Sequence, residues 1–216
     1  MCALPLLLGH RGARSSRSVP ENTLASFDLA LAHACDGFEF DVRLTSCGHA
    51  VVCHDARVQG IAVADATRDQ LPELPIMGDV LRHCANRAFL DIELKVAGLE
   101  SELLIALSHH SPERGHVVSS FLPEVVMDLR ARSAVVPLGI ICDRKGDLAR
   151  WPELPVEYVI PHESLVTREL VEHVHAAGRR LLVWTVNDQT SMRRLRGWGV
   201  DGIISDDTEL LVKTLR

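Results

Sequence analysis

Short apolar runs enriched in β-branched residues recur at regular intervals along almost the whole chain. Runs of four to eight such residues, bounded by polar or turn-forming segments, are typical of buried strands. The spacing predicts eight strands, at residues 4–10, 37–44, 89–96, 116–121, 137–142, 157–161, 180–186 and 202–205.

Helical patterns lie between these runs and after the last of them. Alternation of strand and helix implies parallel pairing through right-handed crossovers. Eight such units favour a closed (β/α)8 barrel of the TIM type over an open sheet, although periodicity alone does not decide closure. The predicted helices lie near residues 23–34, 77–86, 99–110, 122–133, 145–151, 167–177 and 188–197, with 207–215 closing the chain.

The length of the chain fits one large domain with short loops. It has 216 residues, 47% of them hydrophobic, whereas a barrel of this kind typically has about 250 residues. No segment rich in Pro, Gly or Ser divides it, so we expect a single domain over residues 1–216. The longest stretch without a predicted element runs from about residue 55 to 76, a reduced insertion after the second strand.

This insertion follows an extended segment, HAVVCHD at residues 49–55, which we expect to pair back near the end of the second strand. Long loops inside compact domains are usually functional or mobile. A loop that follows a barrel strand lies at the C-terminal face, where the active sites of such barrels are found.

Charge and composition argue against several classes of partner. The net charge is −6 and the basic residues are scattered, so we expect no nucleic-acid binding. No basic patch or amphipathic anchor predicts stable membrane attachment. The apolar opening MCALPLLLGH has no basic start and is too short for a signal or membrane segment, which makes a cytoplasmic location the default expectation. The sequence does not indicate an oligomeric state.

The cysteines predict reduced thiols rather than a disulfide framework. Disulfide frameworks belong mainly to small secreted domains, and this chain has a large apolar core and no C-x-x-C pair. The six cysteines are Cys2, Cys35, Cys47, Cys53, Cys84 and Cys142.

Polar residues cluster where the apolar runs end. Glu39 and Asp41 lie two residues apart in one predicted strand, so both point to the same side of it. If the barrel closes, its strand ends converge, and carboxylates, histidines and cations share one pocket. In chain order these residues are His10, Arg11, Glu39, Asp41, His54, Asp55, Asp91, Glu93 and Lys95, followed by Ser119, Phe121, Trp184 and Asn187 at later strand ends.

These residue types together predict phosphoester chemistry. Crowded carboxylates repel one another unless a cation neutralises them, and a hard divalent ion with oxygen ligands, Mg²⁺ or Ca²⁺, does so. Arg11 and Lys95 would then bind an anion, most naturally a phosphate. Two histidines can serve as general base and general acid on either side of phosphorus. The chain contains no G-x-x-x-x-G-K-[ST] or G-x-G-x-x-G sequence, so a nucleotide-binding fold lacks support.

Each residue taken alone also has a structural interpretation. Lys95 could simply pair with Glu93, and Trp184 could be either a core aromatic or the lining of a substrate slot. A single histidine is more often structural than catalytic, and Arg43 could be an ion-pair partner of the acidic strand face. The histidines that we expect at the surface are His33, His49, His83, His109 and His110.

Seven segments of the chain, taken in order, resemble the successive signatures of the glycerophosphodiester phosphodiesterase family. They are GHRG, PENTLASF, GFEFDVRLT, VVCHD, DIELK, VWTVND and DGIISDD, and they span residues 9–207. The resemblance implies a TIM-type barrel that hydrolyses glycerophosphodiesters to glycerol 3-phosphate and a free alcohol. The nucleophile would be water, or the neighbouring glycerol hydroxyl by way of a cyclic phosphate.

The resemblance also implies a role for each matching residue. One divalent cation, Mg²⁺ or Ca²⁺, is expected as cofactor, and a small glycerophosphodiester as the partner molecule. Glu21 is expected to orient a histidine or to approach the metal. By resemblance the metal ligands are Glu39, Asp41 and Glu93, the acid–base pair is His10 and His54, the phosphate-binding cations are Arg11 and Lys95, the substrate pocket includes Trp184, and the supporting residues are Glu21 and Asn22.

Two departures from the family pattern concern specificity. Most members carry a longer insertion after the second histidine, beginning with an Arg-Thr-Thr signature, and this chain has ARVQGIAVADATRDQ there. A shortened lid leaves the alcohol moiety undetermined and admits bulkier diesters, including lysolipids cleaved in the manner of a lysophospholipase D. The loop ARSSRSV is slightly longer than usual, so Arg14 or Arg17 is a candidate contact for a second anionic group.

Two other functions compete with hydrolysis. A Schiff-base aldolase on the same fold would use Lys95 and would need a depressed pKa at that lysine, which the neighbouring acids oppose. A barrel that binds phosphodiesters without cleaving them would be expected to lack at least one of the catalytic residues, and none is missing.

Overall fold

The structure, a computed structural model, describes residues 4–216. Eight parallel strands close into a barrel, as the alternation predicts, because β1 pairs with both β2 and β11. The remaining barrel strands are β6 to β10. In chain order the strands are β1 (Leu6–Gly9), β2 (Gly37–Leu44), β3 (Ala50–Val52), β4 (Arg57–Val58), β5 (Ile61–Ala62), β6 (Phe89–Leu94), β7 (His116–Ser120), β8 (Leu138–Cys142), β9 (Tyr158–Pro161), β10 (Arg180–Val183) and β11 (Gly202–Ser205).

A helix follows each of the eight barrel strands, and sequence-encoded caps fix several helix starts. The side chains of Thr23, Thr167 and Asp188 each accept a hydrogen bond from the backbone N–H three residues later. Such caps satisfy donors that the first helical turn leaves free. The helices are α1 (Leu24–Ala32), α2 (Met77–Cys84), α3 (Glu100–His109), α4 (Pro123–Arg132), α5 (Lys145–Leu148), α6 (Arg168–Ala176), α7 (Gln189–Trp198) and α8 (Thr208–Leu215), each within the range that the sequence predicts or one residue beyond it.

The alternation of side chains along β2 separates the hydrophobic core from the site. Phe38 and Phe40 point outward to the helices, where Phe38 stacks on Phe27 with ring centroids 4.2 Å apart. Each large apolar side chain buried in this way contributes roughly 1.5–3 kcal/mol. Glu39 and Asp41 occupy the intervening positions and therefore point into the barrel.

The barrel interior is apolar below these acids. Leu8, Phe89 and Val117 belong to a buried cluster inside the barrel. At Gly37 a Cβ atom would lie 1.8 Å from the backbone oxygen of Phe89, so only glycine fits between β2 and β6 at this level. The apolar interior therefore confines polar side chains to the C-terminal mouth of the barrel.

The segment after β3 is more ordered than its sequence pattern predicts. β3 pairs antiparallel with β2, as expected. The irregular loop expected at residues 55–76 instead contains the β4–β5 hairpin and two single 3₁₀ turns, at Val63–Asp65 and Arg68–Gln70. These elements cover a small core of their own, and each is too short to show a periodic pattern. The core residues are Val51, Cys53, Val63, Ala66 and Leu71.

The predictions about thiols and membrane segments can be compared with residues 4–216. Cys35, Cys53, Cys84 and Cys142 are buried free thiols and Cys47 is an exposed one, whereas Cys2 lies outside the described residues. Among the described helices none has the length and apolar character needed to cross a bilayer.

Candidate active site

A small cavity of about 90 Å³ opens at the C-terminal mouth of the barrel. All eight barrel strands supply its lining, from residues within the strands or from those that follow them. Polar and charged groups form one side and apolar groups the other. The lining residues are His10, Arg11, Glu39, His54, Asp91, Glu93, Lys95, Phe121, Ile141, Ile160, Trp184 and Ile204.

Three buried carboxylates cluster on the polar side, and two of them, Glu39 and Glu93, line the cavity. Glu39, Asp41 and Glu93 offer oxygen atoms that lie within 4.8 Å of one another. Register explains this proximity, because Asp41 lies opposite Glu93 in the parallel pairing of β2 with β6. The structure therefore brings together the three residues that the resemblance implies as metal ligands.

Burial opposes the ionisation of all three carboxyl groups. Burial, reinforced by the charge of Asp41, raises the pKa of Glu39 well above its ordinary value, and burial raises the pKa of Glu93 to about 7. Burial opposes ionisation of Asp41 as well, but Lys95 and Arg11 hold the pKa of Asp41 below its ordinary value. A cation among these groups would stabilise all three in the charged form.

The donor set fits a hard divalent cation. Oxygen ligands from carboxylates are those that Mg²⁺ and Ca²⁺ prefer. The Oε1 atom of Glu39 is buried and has no hydrogen-bond partner among residues 4–216, a costly arrangement that coordination would relieve. Asp91 lies beside the cluster but receives a 2.5 Å hydrogen bond from Ser119, so one of its oxygens is already engaged.

Two cations flank the carboxylates. Arg11 lies 3.2 Å from Asp41 through its Nε atom, and its backbone N–H donates to Glu39. Lys95 lies 2.6 Å from Glu93 and 3.3 Å from Asp41. Although burial would lower it, the pKa of Lys95 is raised by Glu93 and Asp41. A Schiff-base lysine needs the opposite shift, so the aldolase alternative loses its basis.

His10, at the end of β1, is held by a carboxylate that the sequence interpretation overlooked. Its Nδ1 atom lies 2.7 Å from Asp206, the residue after β11. Because a carboxylate only accepts, Nδ1 carries the proton and Nε2 faces the cavity, 3.8 Å from Glu39. Burial opposes ionisation of Asp206, but the hydrogen bond from His10 holds its pKa far below the usual range. Asp206 is itself a polar residue at a strand end, the pattern that identified the other site residues.

His54 follows β3 and forms a second, more exposed pair. Its Nδ1 atom lies 2.8 Å from the neighbouring Asp55. Arg43, considered as an ion-pair partner of the acidic strand face, instead donates from Nε to the backbone oxygen of His54 at 2.7 Å. This hydrogen bond ties the segment after β3 to β2.

The PENT segment supports the site in two ways. Asn22 donates from Nδ2 to Asp41 at 2.8 Å, in line with its expected supporting place. Glu21 was expected to orient a histidine or to approach the metal, and its carboxylate instead accepts hydrogen bonds from Arg11 and Arg14. Arg14 also donates to Asp206, so it links the carboxylates of Glu21 and Asp206. Arg17 is exposed.

Trp184 belongs to the apolar side of the cavity. Its ring meets Phe121 edge-on, with centroids 5.5 Å apart, and its Nε1–H donates to the backbone oxygen of Ile160 at 3.0 Å. Ile141 and Ile204 complete this wall. The sequence interpretation did not identify the isoleucines, because inward and outward apolar residues look alike in a strand that is buried on both faces.

Known proteins resemble the chain over nearly its full length. Its sequence matches the glycerophosphoryl diester phosphodiesterase family at residues 10–103 and 86–210. The glycerophosphodiester phosphodiesterase of Caldanaerobacter subterraneus subsp. tengcongensis is 30% identical, with 98% of each chain covered. The enzyme of that name from Bacillus altitudinis is 26% identical, with 96% of each covered.

Solved structures agree in fold. The glycerophosphodiester phosphodiesterase of Thermotoga maritima has a TM-score of 0.82 and 26% identity, with 99% of each chain covered. A phosphodiesterase of Oleispira antarctica, solved with the product sn-glycerol-3-phosphate, has a TM-score of 0.85 and 23% identity, covering 98% of this chain and 96% of its own. The barrel, the motifs in their order and these matches together show that the chain belongs to the glycerophosphoryl diester phosphodiesterase family.

Proposed function

We propose that the chain hydrolyses glycerophosphodiesters to glycerol 3-phosphate and an alcohol, and that it needs a divalent cation to do so. The observation that carries the proposal is the convergence of three buried carboxylates, two histidines and two cations on one cavity. Relatives named for this activity and the product complex of the Oleispira antarctica protein support it.

Glu39, Asp41 and Glu93 would hold the cation, with Mg²⁺ or Ca²⁺ as the candidates from the all-oxygen donor set. When bound, the ion supplies positive charge that polarises the phosphoryl group. Asn22 restrains Asp41 through its side-chain amide, which keeps one ligand oriented.

Arg11 and Lys95 bind the non-bridging phosphate oxygens and stabilise the charge that develops there, usually the largest contribution to such catalysis. Both extend into the cavity from the polar side. Their carboxylate partners keep them charged, as the raised pKa of Lys95 indicates.

His10 and His54 carry the protons in an in-line displacement at phosphorus. Each uses Nδ1 to bind an aspartate, which leaves Nε2 for proton transfer. One removes a proton from the nucleophile, and the other protonates the departing alcohol. The nucleophile is water or the neighbouring glycerol hydroxyl, and ³¹P NMR of early time points would distinguish them by the presence of a cyclic phosphate.

The test is release of glycerol 3-phosphate from glycerophosphoethanolamine and glycerophosphocholine. Protein stripped with EDTA should be inactive, and Mg²⁺, Ca²⁺ or Mn²⁺ should restore turnover. Binding of a diester without turnover under any metal would favour the non-catalytic barrel. Turnover of lysolipids alone would favour the lysophospholipase D alternative. A cytoplasmic setting stays a prediction of the sequence.

A further inference from the structure

His54 lies at the junction of two cavities. It lines the small cavity of about 90 Å³ and also a larger cleft of about 440 Å³. The inner wall of the cleft is formed by Glu21 and Asn22, which hydrogen bond to Arg11 and Asp41 respectively. The cleft therefore adjoins the residues that are proposed to bind the phosphate and the metal.

A phosphodiester has two alcohol halves, and the small cavity has room for only one of them. That cavity has about a fifth of the volume of the cleft and is walled by Phe121, Trp184 and isoleucines. The second alcohol must leave from the phosphate on a side that has room. The cleft provides that room immediately past His54.

A further groove beside His10 is a poorer exit. Its lining includes Arg14, Asn187 and Asp206, and within residues 4–216 none of its lining residues also lines the small cavity. The Asp206 carboxylate that separates the two already binds His10, Asn187 and Arg14. The cleft, by contrast, shares His54 with the small cavity, so the two spaces adjoin on the His54 side.

The walls of the cleft favour a positive charge. They carry three carboxylates, Glu21, Asp55 and Glu73, against one guanidinium, Arg57. Arg57 donates to a backbone oxygen within its own hairpin. Glu21 is bound by two arginines. Within residues 4–216 the Glu73 carboxylate accepts a single hydrogen bond, from the Gln59 side-chain amide at 3.4 Å. Glu73 thus has a carboxylate available for a ligand.

The cleft suits a primary ammonium group better than a quaternary one. Such groups are recognised by cages of aromatic rings. In the described part of the chain, the residues that line the cleft include no Phe, Tyr or Trp. A primary ammonium group, which donates hydrogen bonds, suits carboxylate and amide oxygens instead.

We propose that this cleft binds the leaving alcohol, that it selects alcohols bearing a primary ammonium group such as ethanolamine, and that Glu73 determines this preference. The inference rests on the proposed hydrolysis and names its substrate class. Because Glu73 belongs to the segment between β5 and α2, the specificity is set by the reduced insertion rather than by the barrel.

The experiment compares kcat/KM for glycerophosphoethanolamine, glycerophosphocholine and glycerophosphoglycerol with metal-loaded protein. We expect wild type to prefer the ethanolamine diester. Glu73→Gln should lower kcat/KM for that diester roughly threefold and Glu73→Lys about tenfold, as expected for one and two units of charge at an exposed site. Neither variant should change the value for the neutral glycerol diester.

Glu172→Gln is the matched control, because Glu172 is an exposed glutamate on α6 whose partner is Arg168. It should leave all three values unchanged. Equal loss with the charged and the neutral diester, or no loss at all in Glu73→Lys, would overturn the head-group assignment while leaving hydrolysis intact. Absence of turnover with every diester and metal would overturn the proposed function and this inference with it.

Discussion

The two histidines of the site have the same kind of partner in very different surroundings. In the His10–Asp206 pair the side chains are 11% and 17% exposed, and in the His54–Asp55 pair they are 36% and 77% exposed. The hydrogen-bond lengths are nearly equal, at 2.7 and 2.8 Å. Similar local geometry thus occurs in two environments that differ in exposure to solvent, and solvent screening determines how much an electrostatic contact contributes.

The origin of each pair in the chain explains the difference. Asp206 reaches His10 only because β11 pairs with β1, which closes the barrel. Asn187 and Arg14 then hold the carboxylate from two further sides. Asp55 is adjacent to His54 in sequence, and the pair is restrained chiefly through the backbone by Arg43. We therefore expect the first pair to be rigid and the second to adjust as a substrate binds.

The largest expected effect tests whether the two histidines share one reaction step. His10→Ala and His54→Ala should each lower kcat by roughly 10²–10⁴-fold, because each removes a proton donor or acceptor at phosphorus. The measurement is steady-state release of glycerol 3-phosphate with saturating metal. His109→Ala, at an exposed position on α3, is the control and should retain full activity. Near-normal turnover in a folded, metal-loaded His54→Ala protein would show that the exposed pair is not catalytic.

Replacing the aspartate of each pair should affect catalysis to different extents. Asp206→Asn should lower kcat on the order of 10²-fold with little change in KM, because a buried aspartate fixes the tautomer of its histidine. Asp55→Asn should cost only a few-fold, since solvent screens that contact. Metal content is measured in parallel, and both variants should retain it. Equal losses in the two variants would mean that burial does not distinguish the pairs.

The same asymmetry should appear in stability against pH. The pKa of Asp206 is depressed in the folded protein, so its contribution is present above the unfolded pKa of about 3.9 and is lost as pH falls through the folded value. Asp206→Asn should therefore lower the free energy of unfolding by about 2 kcal/mol at pH 7, and the difference from wild type should shrink below about pH 4. Urea unfolding at several pH values measures it. A pH-independent difference would assign the loss to packing instead.

Some of the site residues in these pairs and around them could be predicted from the sequence, and others could not. Glu39 and Asp41 were identifiable from their alternation within an apolar strand, and His10 from its place at a strand end. Asp206 satisfied that positional rule too, but its partner lies 196 residues away, and only barrel closure brings them together. The hydrogen bonds of Glu21 could not be predicted, because the arginines that donate them are positioned by the conformation of a loop. The elements of the insertion are too short for a periodic signal.

The smallest expected effect concerns how the exposed pair is held. Arg43→Ala removes the hydrogen bond to the backbone oxygen of His54 without touching either imidazole or either aspartate. We expect kcat to fall by about fivefold, because a typical hydrogen bond contributes roughly 1 kcal/mol net and the other contacts of the segment remain. The loss should vanish in the background of His54→Ala and persist in that of His10→Ala, because Arg43 acts only through His54. A loss that is the same in both backgrounds would mean that Arg43 acts through the electrostatics of the whole cavity, and the two pairs would then not be independent.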